Sequence, residues 1–436
     1  MNHGMLKLYS IVVALLVGTI LNASNVIDFD LIKKGKQNNN TLLIFGGIQG
    51  DEPGGFLAAS ILSTHYTIKN GSVWIVPNFN FYSILQRDRG PYGDLNRKFA
   101  YLSKKDPEYK LVQRAKSLIK EKHVKLVLNL HDGSGFYRDT YKDKSHSPYK
   151  WGQCSVIDQV KLDDVKYGNL KDISQKVINH VNDYALRKED HYHTHNTHTR
   201  DGDKEMEKSL TYYAINQNKP AFGNEASKNL PTHKRVYYHL LAVEKYMDIM
   251  GIKYKRDFKL TPLGVYNAIN KNNYISFYDG KIKLPLTKIR HNINYFPIKK
   301  GSSVDFKPSN SLITILKRGN YYHIQYGNRH LARLKADYID YDSSNAKVKL
   351  IVDGKAKDVL FGTTLNVENN FIVRDNKNYR INVIGYTNST SKETDIKIRK
   401  SQIIKKYSLD KNGNIYRIEY YKGKKFAGMV LVKFIN

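Results

Sequence analysis

Short apolar runs and helical stripes alternate through the first half of the chain. TLLIFGGI (41–48), VWIVP (73–77) and KLVLNL (125–130) are continuous rather than alternating, which predicts strands covered on both faces within a parallel sheet. Between the second and third, DPEYKLVQRAKSLIKEK sets Leu111, Val112, Ala115, Leu118 and Ile119 on one helical face. Asp106 suits the N-cap of that helix and Pro107 its first position. Further helices fit 168–187 and 232–249. The pattern predicts an α/β domain with a mostly parallel mixed sheet. Beyond about residue 255 helical periodicity gives way to β-branched and aromatic runs, such as ITIL (313–316), YYHIQY (321–326), VKLIV (348–352), YRINVIGY (379–386), IYRIEYY (415–421) and MVLVKF (429–434). Asp353-Gly354, Lys411-Asn412-Gly413 and Lys422-Gly423 lie between them at hairpin spacing. Roughly 180 residues are too many for one sandwich. This part is therefore split near Ser344 into a small β-barrel and an immunoglobulin-like β-sandwich.

At the N-terminus, Lys7 precedes the apolar run Ile11–Leu21 and the small-residue stretch Asn22-Ala23-Ser24. An apolar stretch of ~7–15 residues with that flank reads as a secretory signal, since a membrane span needs about 20. The expected organisation is a signal peptide over 1–23, an α/β domain over 24–252, a β-barrel over 253–343 and a sandwich over 344–436. The expected location is periplasmic, with no stable membrane span after cleavage.

Composition narrows the chemistry. One cysteine, Cys154, among 436 residues excludes an internal disulfide framework and any CxxC motif, so a metal would need His, Asp, Glu or amide ligands. Lys and Arg number 71 against 40 Asp and Glu, a net charge of +31, which favours an anionic partner without naming one. Nucleic acid is not expected, because no stacking motif accompanies the charge and the chain carries an export signal.

Four segments can carry chemistry. The Gly-rich turn Gly46–Gly55 follows the first strand and holds Gln49 and Glu52 at i, i+3, on one side if that turn is helical. His131 stands just past the end of LVLNL, at the edge where open α/β sheets place their ligands. Between them a loop carries Arg87, Arg89 and Arg97, whose guanidinium forks suit carboxylates and developing oxyanions. Glu225 ends a further apolar run and is a candidate general base.

Taken in order, QGDE (49–52), DLNR (94–97), LNLHDG (128–133) and FGNE (222–225) resemble the zinc metallocarboxypeptidase family over about residues 41–250. The resemblance implies Zn2+ held by Gln49, Glu52 and His131, with Glu225 as general base. It further implies Arg89 as stabiliser of the carbonyl and oxyanion, and Asn96 with Arg97 as the clamp on a terminal carboxylate. Arg87 competes with Arg89 for its role. Gln49 departs from the usual histidine, and an amide oxygen is the weaker donor to zinc. That departure, the export signal and two trailing β domains are similar to the peptidoglycan DL-carboxypeptidases that help set cell shape in helical bacteria. The implied reaction is release of meso-diaminopimelate from muramyl tripeptide. The alternative is a catalytically inactive member that binds cell-wall peptides, and amidoacyl deacylases of the aspartoacylase type are the nearest enzymatic neighbours. The β domains are open to glycan, to cell-shape protein partners or to a buttressing role. The run His191–His198, with four histidines in eight residues, is expected to be an exposed loop at the mouth of the site.

Overall fold

The apolar runs at 41–46 and 72–76 become strands buried at every position, because helices cover the sheet they enter. The computed structural model describes residues 28–36, 38–344, 346–388, 390 and 392–435. The expected signal segment 1–23 lies outside them. The main sheet has seven strands: β1 (Ile32–Gly35), β2 (Thr41–Gly46), β3 (Ser72–Val76), β4 (Val124–Gly133), β5 (Cys154–Ile157), β6 (His193–Asn196) and β7 (Ala221–Ser227). Their spatial order is β1-β3-β2-β4-β7-β5-β6. The central run β3-β2-β4-β7 is parallel, β1 pairs antiparallel with β3, and β5 pairs antiparallel with β7 while β6 runs beside it.

Among the described residues seven α-helices accompany the strands: α1 (Pro53–His65), α2 (Phe81–Gln86), α3 (Tyr109–Lys120), α4 (Leu170–Asp183), α5 (Leu210–Ile215), α6 (Thr232–Ile249) and α7 (Pro262–Asn270). Helix α1 packs on α6 and on β4, and α5 packs on β4 and β7, so both site-bearing strands are covered. Helix α3 starts at Tyr109 instead of Pro107. Asp106 uses its carboxylate on the Glu108 N–H at 2.8 Å, closing a turn before the helix begins. Helix α7 was not expected from the periodicity. It is nine residues long and buries only Val265, Ala268 and Ile269, too few to make a stripe, although Thr261-Pro262 is a cap-and-proline start.

The first β region contains a three-stranded and a four-stranded sheet, and its apolar residues continue the core of the α/β domain without a break. The C-terminal region pairs two four-stranded sheets around a separate core that includes Leu350, Phe371, Ile418 and Val430. Its first hairpin, Lys347–Val352 with Lys355–Leu360, closes on Asp353-Gly354. Both turn residues have positive φ, +49° and +80°, as a tight two-residue hairpin requires.

Helix α1 begins hard against β4. A Cβ added at Gly55 would stand 2.3 Å from the Leu130 carbonyl oxygen, so only glycine lets the helix approach the strand that carries His131. Gly55→Ala is predicted to destabilise the chain by about 1–3 kcal/mol through overpacking. Thermal denaturation checks this, and an unchanged melting temperature would refute so close an approach.

Candidate active site

Pro53 has no N–H to give to a preceding turn, so α1 starts at that residue and Gln49 and Glu52 lie before it. The turn over these two is not helical but a tight turn in which the Glu52 N–H donates to the Gln49 carbonyl at 3.3 Å. It still aims both side chains at β4. Gln49 Oε1 lies 3.1 Å and Glu52 Oε2 3.0 Å from His131 Nδ1. All three residues are at most 5% exposed.

An amide offers an oxygen at one end and a donor at the other, so its orientation decides what it can hold. Gln49 Nε2 donates to Asp94 Oδ1 at 2.8 Å, which leaves Oε1 facing His131. Asp94 is itself fixed by the Asn96 N–H at 2.9 Å and by Arg89 Nε at 3.1 Å. Two oxygens and an imidazole nitrogen meeting at about 3 Å need a proton or a cation between them, and this donor set fits a small divalent ion. Among the described residues no three His, Cys, Asp or Glu side chains cluster in this way. The third member of this trio is the amide.

Sheet register brings the remaining acid alongside. Parallel pairing sets Glu225 of β7 beside His131 of β4, and residues paired across a sheet share a face. Gly223, two residues earlier on that face, lines the same space, where a Cβ would stand 3.1 Å from the Val156 Cβ. The result is a cavity of about 240 Å³ lined by Gln49, Glu52, His131, Glu225, Arg89, Asn96 and Arg97. Arg87 does not line it and donates instead to the Asn328 carbonyl in the neighbouring β domain. Asn96 Oδ1 accepts the Leu210 N–H at 3.0 Å, so the group it can offer the cavity is its amide donor. Lys228, Trp151, Met206 and Thr211 also line the wall and were not singled out from the sequence. Lys228 follows FGNE by three residues, and its position there was the available signal. Its Nζ lies 2.7 Å from Asp51 and 3.4 Å from Glu52.

Burial pushes the Glu225 carboxyl up to about 8, with His131 opposing and Glu52 and Asp132 adding to the rise. Burial alone would lower His131, but the charges of Glu225 and Glu52 outweigh it and raise its pKa. Asp132, next along β4, goes the other way. Burial favours its neutral form, yet His239, Arg235 and the Gly54 N–H hold it below the ordinary carboxylate range.

The histidine run is not the exposed loop expected of it. His193–Asn196 is the edge strand β6, with His193 paired to Cys154 and His195 to Val156. The His195 ring stacks on Tyr137 at 4.0 Å and packs on Trp151 at 4.6 Å, and burial lowers its pKa to about 4. Alternation at period two was the strand signal. It was obscured because histidine counts as polar until an aromatic neighbour covers it.

Comparison with known families and structures gives a consistent picture. A model of the catalytic part of the carboxypeptidase controlling helical cell shape matches residues 5–270. Models of the β-barrel domain of carboxypeptidase M99 and of the C-terminal domain of metallo-carboxypeptidase match 271–340 and 341–435. The tripeptide-bound cell shape determinant Csd4 of Helicobacter pylori is 40% identical, with a TM-score of 0.83 over 94% of this chain and 100% of that one. The mDAP-bound form of the same Helicobacter pylori protein, described as a D,L-carboxypeptidase, is 40% identical, with a TM-score of 0.83 over 93% and 100%. Among curated proteins no relative matches.

The raised Glu225 carboxyl gives a test independent of turnover. A carboxyl raised from 4.5 to about 8 on folding stabilises the folded chain fully below its unfolded value and loses that contribution as pH rises to about 8. In the presence of a chelator, denaturation midpoints are predicted to fall across that window, and Glu225→Gln is predicted to flatten the fall. Equal slopes in the two proteins would contradict the assignment.

Proposed function

The chain belongs to the family of carboxypeptidases that control helical cell shape, and from that membership we propose a zinc-dependent DL-carboxypeptidase that trims muramyl tripeptide and releases meso-diaminopimelate. The observation that carries this reading is the meeting of Gln49, Glu52 and His131 beside Glu225, in a cavity rimmed by Arg89, Arg97 and Lys228. Export through residues 1–23 to the periplasm is part of the same proposal. Among the described residues no helix is long and apolar enough to cross a membrane.

Gln49, Glu52 and His131 are the residues that would hold the ion. Zinc so held supplies a water acidic enough to lose a proton near neutral pH. Glu225 takes the proton of the attacking water on its carboxylate and returns it to the leaving nitrogen. A neighbouring divalent cation favours the charged form of Glu225, opposing the rise that burial causes. Arg89 faces the scissile carbonyl, where negative charge develops. Asn96 and Arg97 hold the terminal carboxylate, with the Arg97 fork suited to bidentate contact. The substrate carries several carboxylates near the scissile bond, and three cations at one rim match that chemistry.

The deciding experiment is incubation of the purified chain with muramyl tripeptide, with and without zinc, followed by mass spectrometry for free diaminopimelate. Zinc-dependent release is expected, with Glu225→Gln lowering kcat by about 10²–10⁴ while tripeptide binding persists. Absence of release at every zinc level, from folded protein that still binds the peptide, would make this a recognition module.

Asp94→Ala, which removes the acceptor, is predicted to free the Gln49 amide to turn its nitrogen toward His131. Zinc affinity should fall about 10- to 100-fold in a chelator competition, as expected when a residue orienting a ligand is lost. Unaltered affinity would show that Asp94 does not set the amide.

A further inference from the structure

Away from the cavity, where α7 meets the two β regions, a second set of charges lacks balance. A cleft of about 510 Å³ is lined by Lys271, Lys288, His291, Arg329, His330 and Lys411, and by no carboxylate. The side-chain hydrogen-bond partners of Arg329, His330, His291 and Lys411 are neutral or basic. Arg329 Nη1 donates to the Asn270 amide oxygen at 2.9 Å, and its guanidinium lies 4.6 Å over the Tyr326 ring. Arg329 Nε is buried without a hydrogen-bond partner, and burial lowers the pKa of the group. Lys411 Nζ stands 3.1 Å from His291 Nε2.

Through Lys271 and Lys288 the cleft continues into a groove of about 1000 Å³ between the β domains, where Lys283 and Lys433 also face the space. The one carboxylate there, Asp410, accepts the backbone N–H groups of Asn412, Asn414 and Ile415. Uncompensated cations gathered in a concave site repel one another and favour an anion that bridges them. Thr363 and Asn366 add hydroxyl and amide groups of the kind that bond sugar hydroxyl and acetamido groups. The ring of Tyr274 is capped by Lys283 at 4.0 Å, so it offers no open stacking platform for a nucleobase.

We propose that the cleft and groove form an anchoring site for a carboxylate-bearing glycopeptide polymer, distinct from the hydrolytic cavity. This rests on the wall-substrate reading above. The anchor adjoins the site, since Arg87, two residues from Arg89, is bonded to Asn328 beside Arg329. A chain held there by neighbouring stems would meet each cleavable stem at a raised local concentration.

The test is cosedimentation of the full chain with insoluble peptidoglycan sacculi, in excess soluble muramyl tripeptide to fill the cavity. Lys271→Glu, Lys288→Glu and Lys411→Glu combined should weaken sedimentation by roughly tenfold or more, with the steep salt dependence of multiple ion contacts. Hydrolysis of soluble tripeptide should change less than about twofold, because these lysines lie outside the cavity. Should that triple variant fail to fold, Lys283→Glu with Lys433→Glu carries the same expectation from the outer groove. Unchanged sedimentation of a folded variant would overturn the proposal, as would tighter binding to duplex DNA than to sacculi. Lysine-dependent sedimentation without any tripeptide hydrolysis by the wild type would remove the catalytic reading and leave the anchor standing.

Discussion

A glutamine can join a histidine and a glutamate around a cation only if its oxygen faces them, and here one hydrogen bond to Asp94 enforces that choice. The rest of the site is built around this constraint. Asp94 caps the short turn Leu95–Arg97 through the Asn96 N–H, so the same carboxylate that turns Gln49 also positions the DLNR segment at the cavity rim. Its second oxygen accepts Arg89 Nε, bringing that guanidinium toward Glu52. As a ligand, Gln49 would leave one fewer proton-sensitive group at the centre than a histidine. It would also give up affinity, which the fixed orientation would partly offset because the amide need not be ordered on binding.

Two carboxyl groups of adjacent strands show how partners decide ionisation. Asp132 is buried as completely as any residue of the core, yet it stays charged because the Gly54 N–H, Arg235 and His239 all point at it. It thereby ties the start of α1 and the body of α6 to β4. Glu225, beside His131 in register, receives no hydrogen bond from a described side chain, and burial pushes its carboxyl up to about 8. One carboxylate is satisfied and structural. The other is left responsive to whatever charge enters the cavity, the condition under which a carboxyl can exchange protons near neutral pH.

The strands and helices of the α/β domain were legible because both-face burial and one-face burial leave different periods in the sequence. β2, β3 and α6 sit within a residue or two of where the pattern puts them. The hairpins beyond residue 340 were legible from turn chemistry, as at Asp353-Gly354. What stayed hidden depends on distant partners. Asp94 lies inside a quoted motif, but its hold on Gln49 spans 45 residues and leaves no local mark. The histidines of β6 look solvated until Tyr137 and Trp151 are seen against His195. Helix α7 is too short to show a stripe and is held by packing on α6.

The loop between Arg87 and Arg97 explains why the hydrolytic domain and the first β region share one core. Its inner side presents Arg89, Asn96 and Arg97 to the cavity, while its outer side is bonded through Arg87 to Asn328. The segment leading into α2 is held from the same direction, since Asn78 Nδ2 donates to the Ser311 carbonyl at 3.3 Å. Arginines on a free loop would lose much of their entropy on meeting substrate, and binding would be weakened by that cost. Leu95, within the loop, is buried in the continuous apolar core and so fixes the loop to it. The first β region therefore contributes to the site without lining it: it supplies the rigid surface against which a surface loop becomes a fixed array of donors.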